Sequence, residues 1–83
     1  QNQIQSTVKG YLLREFLPGE DAALLTPTTP LISAGILDSI GTLKLVTFLE
    51  ETFRVQIEAH EADMEHLDTL QDIATLVQSK SKH

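Results

Sequence analysis

The chain contains no cysteine. That excludes disulfides and thiolate metal sites as supports for its fold, and it leaves the polypeptide without a nucleophilic thiol of its own. Basic residues are scarce: 6 Lys and Arg stand against 12 Asp and Glu, for a net charge of −6. No nucleic-acid partner is expected, because neutralising phosphates dominates that kind of affinity; partners with basic patches are favoured instead. No apolar run approaches a membrane span, and no signal-peptide pattern opens the chain, so a cytoplasmic location is expected. Strand signals, internal repeats and low-complexity tracts are also missing. The 83 residues have room for one small domain, 1–83, and no more. A chain of this length buries roughly 60–65% of its unfolded surface, and its stability should be on the order of 4–12 kcal/mol. A catalytic cleft with its own supporting shell is hard to fit. The first residue is Gln1 rather than methionine, as in a sequence trimmed or excised from a longer one, and Ser79-Lys80-Ser81-Lys82-His83 reads as a frayed tail.

What is present is helical spacing. Ile4, Val8, Tyr11, Leu12 and Phe16 form one stripe over residues 2–16, which predicts a first helix stopped by Pro18-Gly19. Residues 17–37 carry Pro18-Gly19, Pro27, Pro30 and Gly35 and read as a long loop. Leu24, Leu25, Leu31, Ile32, Ile36 and Leu37 are its candidate anchors, and Ala22 to Leu25 suits a short helical turn. A second helix is expected over about 39–53. Leu45, Val46, Leu49 and Phe53 share its core stripe, with Phe48 at the edge, and Glu50 stands four residues before Arg54 in the favourable order for an ion pair. Val55 and Ile57 follow, then the acidic segment Glu58, Glu61, Asp63 and Glu65, in which Met64 and Leu67 mark one short helix. Asp68 with Gln71 three residues on suggests a capping-box start to a last helix at about 69–79, whose inner face is Leu70, Ile73, Ala74 and Val77, with Leu76 close by. The expected fold is all-α, a small four-helix bundle of three longer helices and one short one.

The second helix begins in a distinctive way. Gly35-Ile36-Leu37-Asp38-Ser39-Ile40-Gly41 leads from the loop into the apolar helix that ends Leu49-Glu50-Glu51-Thr52-Phe53. Asp38 is placed to accept a free N–H of the first turn. Ser39 then occupies the first helical position, where unpaired N–H groups and the helix dipole favour an anion such as a phosphate.

Gly-Ile-Leu-Asp-Ser-Ile-Gly before such a helix resembles the attachment region of the acyl and peptidyl carrier proteins, and the resemblance covers nearly the whole chain. In that family the serine after the aspartate carries 4′-phosphopantetheine as a phosphodiester. The resemblance implies that Ser39 is the attachment residue and that Asp38 caps the helix and helps position the transferase and its metal ion. It further implies that the arm supplies the missing thiol, which takes an acyl or aminoacyl group as a thioester. The protein is then a non-catalytic carrier, expected as a monomer. Its partners are a phosphopantetheinyl transferase, an acyl- or aminoacyl-loading (adenylating) enzyme and downstream acyl-processing enzymes. Helix two, through Ile40, Leu43, Lys44, Thr47, Glu50 and Glu51, would form the docking face. Ile40 and Leu43 have a second reading, as residues packed under the preceding loop. The usual proline after Val55-Gln56-Ile57 is missing, since Glu58 and Ala59 stand there.

Leu37 before Asp38 and Gly41 after Ile40 resemble discrete aminoacyl, peptidyl or polyketide carriers, and Lys44 departs from the acid common in fatty-acid carriers. Specialised metabolism or cell-envelope aminoacylation is the expected setting, with a long acyl chain inside the bundle still open. The alternative from another class is an unmodified acidic helical subunit of a larger complex; a small hydrolase built on Ser39 and a histidine is a third. No metal is expected. His60 and His66 are six apart, which does not meet the four-residue spacing of a helical zinc site, and the acids from Glu58 to Asp72 read as a solvated or docking face. Met64 and the aromatics Tyr11, Phe16, Phe48 and Phe53 are assigned to the core.

Overall fold

A computed structural model describes residues 2–19, 23 and 25–81. It contains α1 (Asn2–Glu15), α2 (Ser39–Phe53), α3 (Met64–Leu67) and α4 (Leu70–Ser81), with a 3₁₀ turn at Ala59–Glu61, and no strand among the described residues. The all-α expectation holds. The other three helices each pack on α4. That helix buries Leu70, Ile73, Ala74, Leu76 and Val77, so its apolar arc is wide enough to serve several neighbours.

On α1, Val8 and Leu12 are fully buried, one turn apart, and Ile4, Tyr11 and Phe16 flank them. The helix stops because Phe16 and Leu17 both donate to the Leu12 carbonyl, at 2.9 and 3.2 Å, and Pro18 has no N–H to continue the ladder.

The long connection is held by side chains and backbone alike. Leu25, Leu31 and Leu37 are buried in the core, with Ile32 and Ile36 packed against it. The expected anchor Leu24 and the Ala22 end of the expected helical turn lie outside the described residues. The Gln71 N–H donates to the Pro27 carbonyl at 3.0 Å, fastening the loop to the start of α4.

Three local expectations are corrected. Asp68 does not cap α4; the Thr69 hydroxyl accepts the Asp72 N–H at 3.0 Å instead, and the Asp68 carboxylate turns across to the loop at residues 31–33. Glu50 does not pair with Arg54 among the described residues. Arg54 has left the helix in a left-handed C-cap (φ 56°), and the Glu50 carboxylate accepts the Ile57 N–H at 2.9 Å. The tail does not fray at Ser79: α4 continues to Ser81, and Lys80 is ion-paired with Glu61. Lys82 and His83, and the Met64 side chain, lie outside the described residues.

Candidate functional site

The loop delivers its last residues to α2 through two short closures. Gly35 donates to the Ile32 carbonyl at 3.1 Å with φ +84°, a backbone conformation that side chains disfavour. The Leu37 N–H then donates to the Leu31 carbonyl at 3.0 Å, which sets Leu37 into the core immediately before Asp38. Asp38 is extended (φ −89°, ψ −170°), and its Oδ1 accepts the Gly41 N–H at 2.6 Å. Its carbonyl takes both the backbone N–H and the hydroxyl of Thr42, each at 2.8 Å. Asp38 is thus the cap the sequence predicts. Gly41 is buried, and a Cβ there would stand 3.0 Å from the Phe16 ring and 3.1 Å from Asp38 Oδ1. Its missing side chain lets α1 and the cap close on the first turn together.

Ser39 is the first residue of α2 and is exposed. Its hydroxyl makes no hydrogen bond among the described residues, so no side-chain base is poised on it as a serine nucleophile would need. The N–H groups of Ser39 and Ile40 have no intrahelical acceptor, which leaves this end electropositive.

Two open grooves flank the residue. One, of about 620 Å³, is walled by Ile32 and Leu37 on the loop side, by Thr42 and Leu43 on α2, and by Ala62 and Asp63 before α3; Asp38 and Ser39 sit at its rim. The other, of about 420 Å³, runs between α1 and α2 and is lined by Tyr11, Ile40, Leu43, Lys44, Thr47, Phe48 and Glu51. Leu43 is the ridge between them. Ile40 and Leu43 are 66% and 64% exposed, so they do not pack under the loop. Five of the six residues assigned to a docking face, Ile40, Leu43, Lys44, Thr47 and Glu51, therefore meet along one groove. Glu50 stands apart, half-buried on Ile57.

Sequence reasoning placed Tyr11 and Phe48 in the core and missed that they floor this groove. Their rings stack at 3.9 Å and 13°, and the Tyr11 hydroxyl donates to the Lys44 carbonyl at 3.3 Å. Phe16 meets Tyr11 edge-on at 6.0 Å. The clue was available in the spacing: Tyr11 and Phe48 each fall at the edge of an apolar stripe.

Two carboxylates near the site are held by hydrogen bonds. His66 Nδ1, on α3, lies 2.9 Å from Oδ1 of the α3 cap Asp63; the hydrogen bond raises the histidine above its ordinary value and lowers the aspartate below its own. Backbone N–H donation from Ser33 holds the Asp68 carboxyl below the usual carboxylate range, with the Ser33 hydroxyl and the Ile32 and Leu31 N–H groups adding to the effect. His60 is exposed, and among the described residues no three potential metal-ligating side chains converge. No helix of the described residues is long and apolar enough to cross a membrane.

An exposed hydroxyl with no hydrogen-bond partner among the described residues thus stands at an electropositive helix start, between two open grooves. Comparison with known proteins bears on the chain as a whole. The family model described as the phosphopantetheine attachment site matches residues 12–77, well over half of the chain, and takes in every residue lining the two grooves except Tyr11. No curated protein matches the chain.

Proposed function

The chain belongs to the phosphopantetheine attachment-site family, and from that premise we propose that Ser39 bears the arm and that α2 presents its cargo to partner enzymes. The coarse role follows from the family: a carrier with covalently bound 4′-phosphopantetheine. When attached, the arm supplies a thiol that holds an acyl or aminoacyl group as a thioester. The rest is the work of the chain's own residues.

Asp38 fixes the first turn through Gly41, which keeps the Ser39 hydroxyl outside the core and facing solvent for a phosphopantetheinyl transferase. The dipole at the start of α2 stabilises the phosphodiester's negative charge, an effect worth about 0.3–1 kcal/mol at an exposed helix end. Ile40 and Leu43 give partners an apolar foothold within one turn of Ser39. Lys44, Thr47 and Glu51 rim it with charge and hydrogen-bonding groups. Such a small, charge-rimmed patch suits fast, reversible exchange among the transferase, a loading enzyme and acyl-processing enzymes. Leu37, Gly41 and Lys44 support an aminoacyl, peptidyl or polyketide-type cargo in preference to the fatty-acid pattern. The observation that carries the reading is the exposure of Ser39 at the first position of α2.

The test is co-expression with a broad-specificity phosphopantetheinyl transferase. The intact mass of the wild type should rise by one phosphopantetheine, and Ser39→Ala should abolish the rise. A wild type that never gains that mass would leave an unmodified acidic interaction subunit as the better description.

A further inference from the structure

The Asp68 carboxylate accepts four hydrogen bonds, and none of them serves its own helix. Its Oδ1 accepts three successive backbone N–H groups, from Leu31 at 3.1 Å, Ile32 at 2.8 Å and Ser33 at 2.9 Å. Its Oδ2 accepts the Ser33 hydroxyl at 2.7 Å, and its own carbonyl takes the Leu31 N–H at 2.6 Å. The partners lie 35 to 37 residues away in sequence.

What Asp68 grips is the base of the loop that ends at Ser39. Leu31 is the residue whose carbonyl receives the Leu37 N–H, and Leu37 precedes the α2 cap Asp38. The position of the cap therefore follows that of Leu31. Ile32 and Leu37 form one wall of the larger groove beside Ser39, and Ala62 and Asp63 form the facing wall. Asp68 directly follows α3, which Asp63 caps. The carboxylate thus ties the loop-side wall to the residue that joins α3, and through α3 the facing wall, to the start of α4.

Resting on the assignment of Ser39 as the attachment residue, we propose that Asp68 is a positioning residue for the modification of Ser39, holding the loop at 31–37 and hence the groove in the form the transferase recognises. A charged carboxylate suits three converging donors better than a neutral amide, since charge-assisted hydrogen bonds are shorter and stronger. Asparagine keeps the acceptor oxygen and so retains part of the grip; alanine keeps none.

The experiment is steady-state transfer of phosphopantetheine from coenzyme A to the full chain. Wild type, Asp68→Ala, Asp68→Asn and Ile4→Ala are compared, each shown by circular dichroism to be folded under the assay conditions. Ile4 lies in a separate groove with Phe53 and Val77 and serves as the control for general destabilisation. If alanine leaves the competent loop populated to about a tenth, KM for the carrier rises about tenfold while kcat stays nearly constant, because only the competent fraction is bound. Asparagine should recover most of that loss, and Ile4→Ala should match the wild type. Amide exchange should quicken at residues 31–33 and 37 in Asp68→Ala while the amides of α1 and α4 keep their protection. A wild-type KM in Asp68→Ala, an equal rise in Ile4→Ala, or unchanged exchange at 31–37 would overturn the assignment. Should Asp68→Ala fail to fold, Ser33→Ala, which removes the hydroxyl bond to Oδ2, must raise KM in the same direction; an unchanged KM there also overturns it. A wild type that gains no arm instead removes the Ser39 reading, and this role with it.

Discussion

Leu43 and Leu49 lie on the same helix and should respond to truncation in opposite ways. Leu49 is fully buried, while Leu43 is 64% exposed. Leu49→Ala removes buried methyl groups and leaves a void in the core cluster to which Leu49 belongs, a change that costs about 2–5 kcal/mol. Against a total of about 4–12 kcal/mol for a chain of this size, that is a large share. Complete burial of a leucine is worth about 1.5–3 kcal/mol, so the buried third of Leu43 contributes at most about 1 kcal/mol, with no cavity term. Urea and thermal unfolding followed by far-ultraviolet circular dichroism separate these cases. At about 4–8 °C per kcal/mol for a domain of this length, Leu49→Ala should lower Tm by at least about twice as much as Leu43→Ala, roughly 8 °C or more against about 4–8 °C at the very most. The same two variants should reverse order in a transfer assay with partner enzymes, where the folded Leu43→Ala chain loses rate through its missing foothold. Equal unfolding of the two would show that the faces of α2 are wrongly assigned.

Two glycines should also respond in opposite directions. At Gly10 an added Cβ meets nothing within 4 Å, so Gly10→Ala should stabilise α1 by about 0.5–1 kcal/mol. At Gly41 the added Cβ meets Phe16 and Asp38 at 3.0 and 3.1 Å, so Gly41→Ala should destabilise by about 1 kcal/mol or more; urea midpoints read both changes. The pH dependence has two limbs of opposite sign. Asp68 and Asp63 have lowered folded-state pKa values, so their contributions are present above the unfolded value of about 3.9 and fade as pH falls through the lower folded values. His66 has a raised value, so its contribution is full below about 6.5 and is lost as pH rises through the higher folded value. The α3 pair should therefore be strongest between those limits, and His66→Gln should flatten the loss of stability on the alkaline side; a titration in which both proteins follow one curve would contradict the pairing.

The parts of the fold that were legible in the sequence are those set by short-range spacing. Val8 and Leu12, Leu45 and Leu49, and Leu70, Ile73 and Val77 announce their helices because one turn of separation puts them on one face. Asp38 was legible as a cap because its partner Gly41 is three residues away. Asp68 was not, since its hydrogen-bond partners depend on how the long loop returns to α4, and a carboxylate one residue before a Thr cap looks the same from sequence alone. Glu50 was misjudged for a related reason: the left-handed turn at Arg54 carries that guanidinium away and brings the Ile57 N–H within reach. Tyr11 and Phe48 read as core because hydrophobic spacing reports the direction of a side chain, not whether a neighbouring helix fully covers it. The split of the exposed α2 face into two grooves needed the positions of α1 and the segment before α3.

The central claim is that one hydroxyl among Ser6, Ser33, Ser39, Ser79 and Ser81 bears the arm. Fragment-ion mass spectrometry of the modified protein, cut after Arg14 and Lys44, tests it directly, since the peptide from Glu15 to Lys44 contains both Ser33 and Ser39. The account predicts that the added phosphopantetheine mass lies on Ser39 alone. Finding it on Ser33, or on a peptide outside residues 15–44, would contradict it.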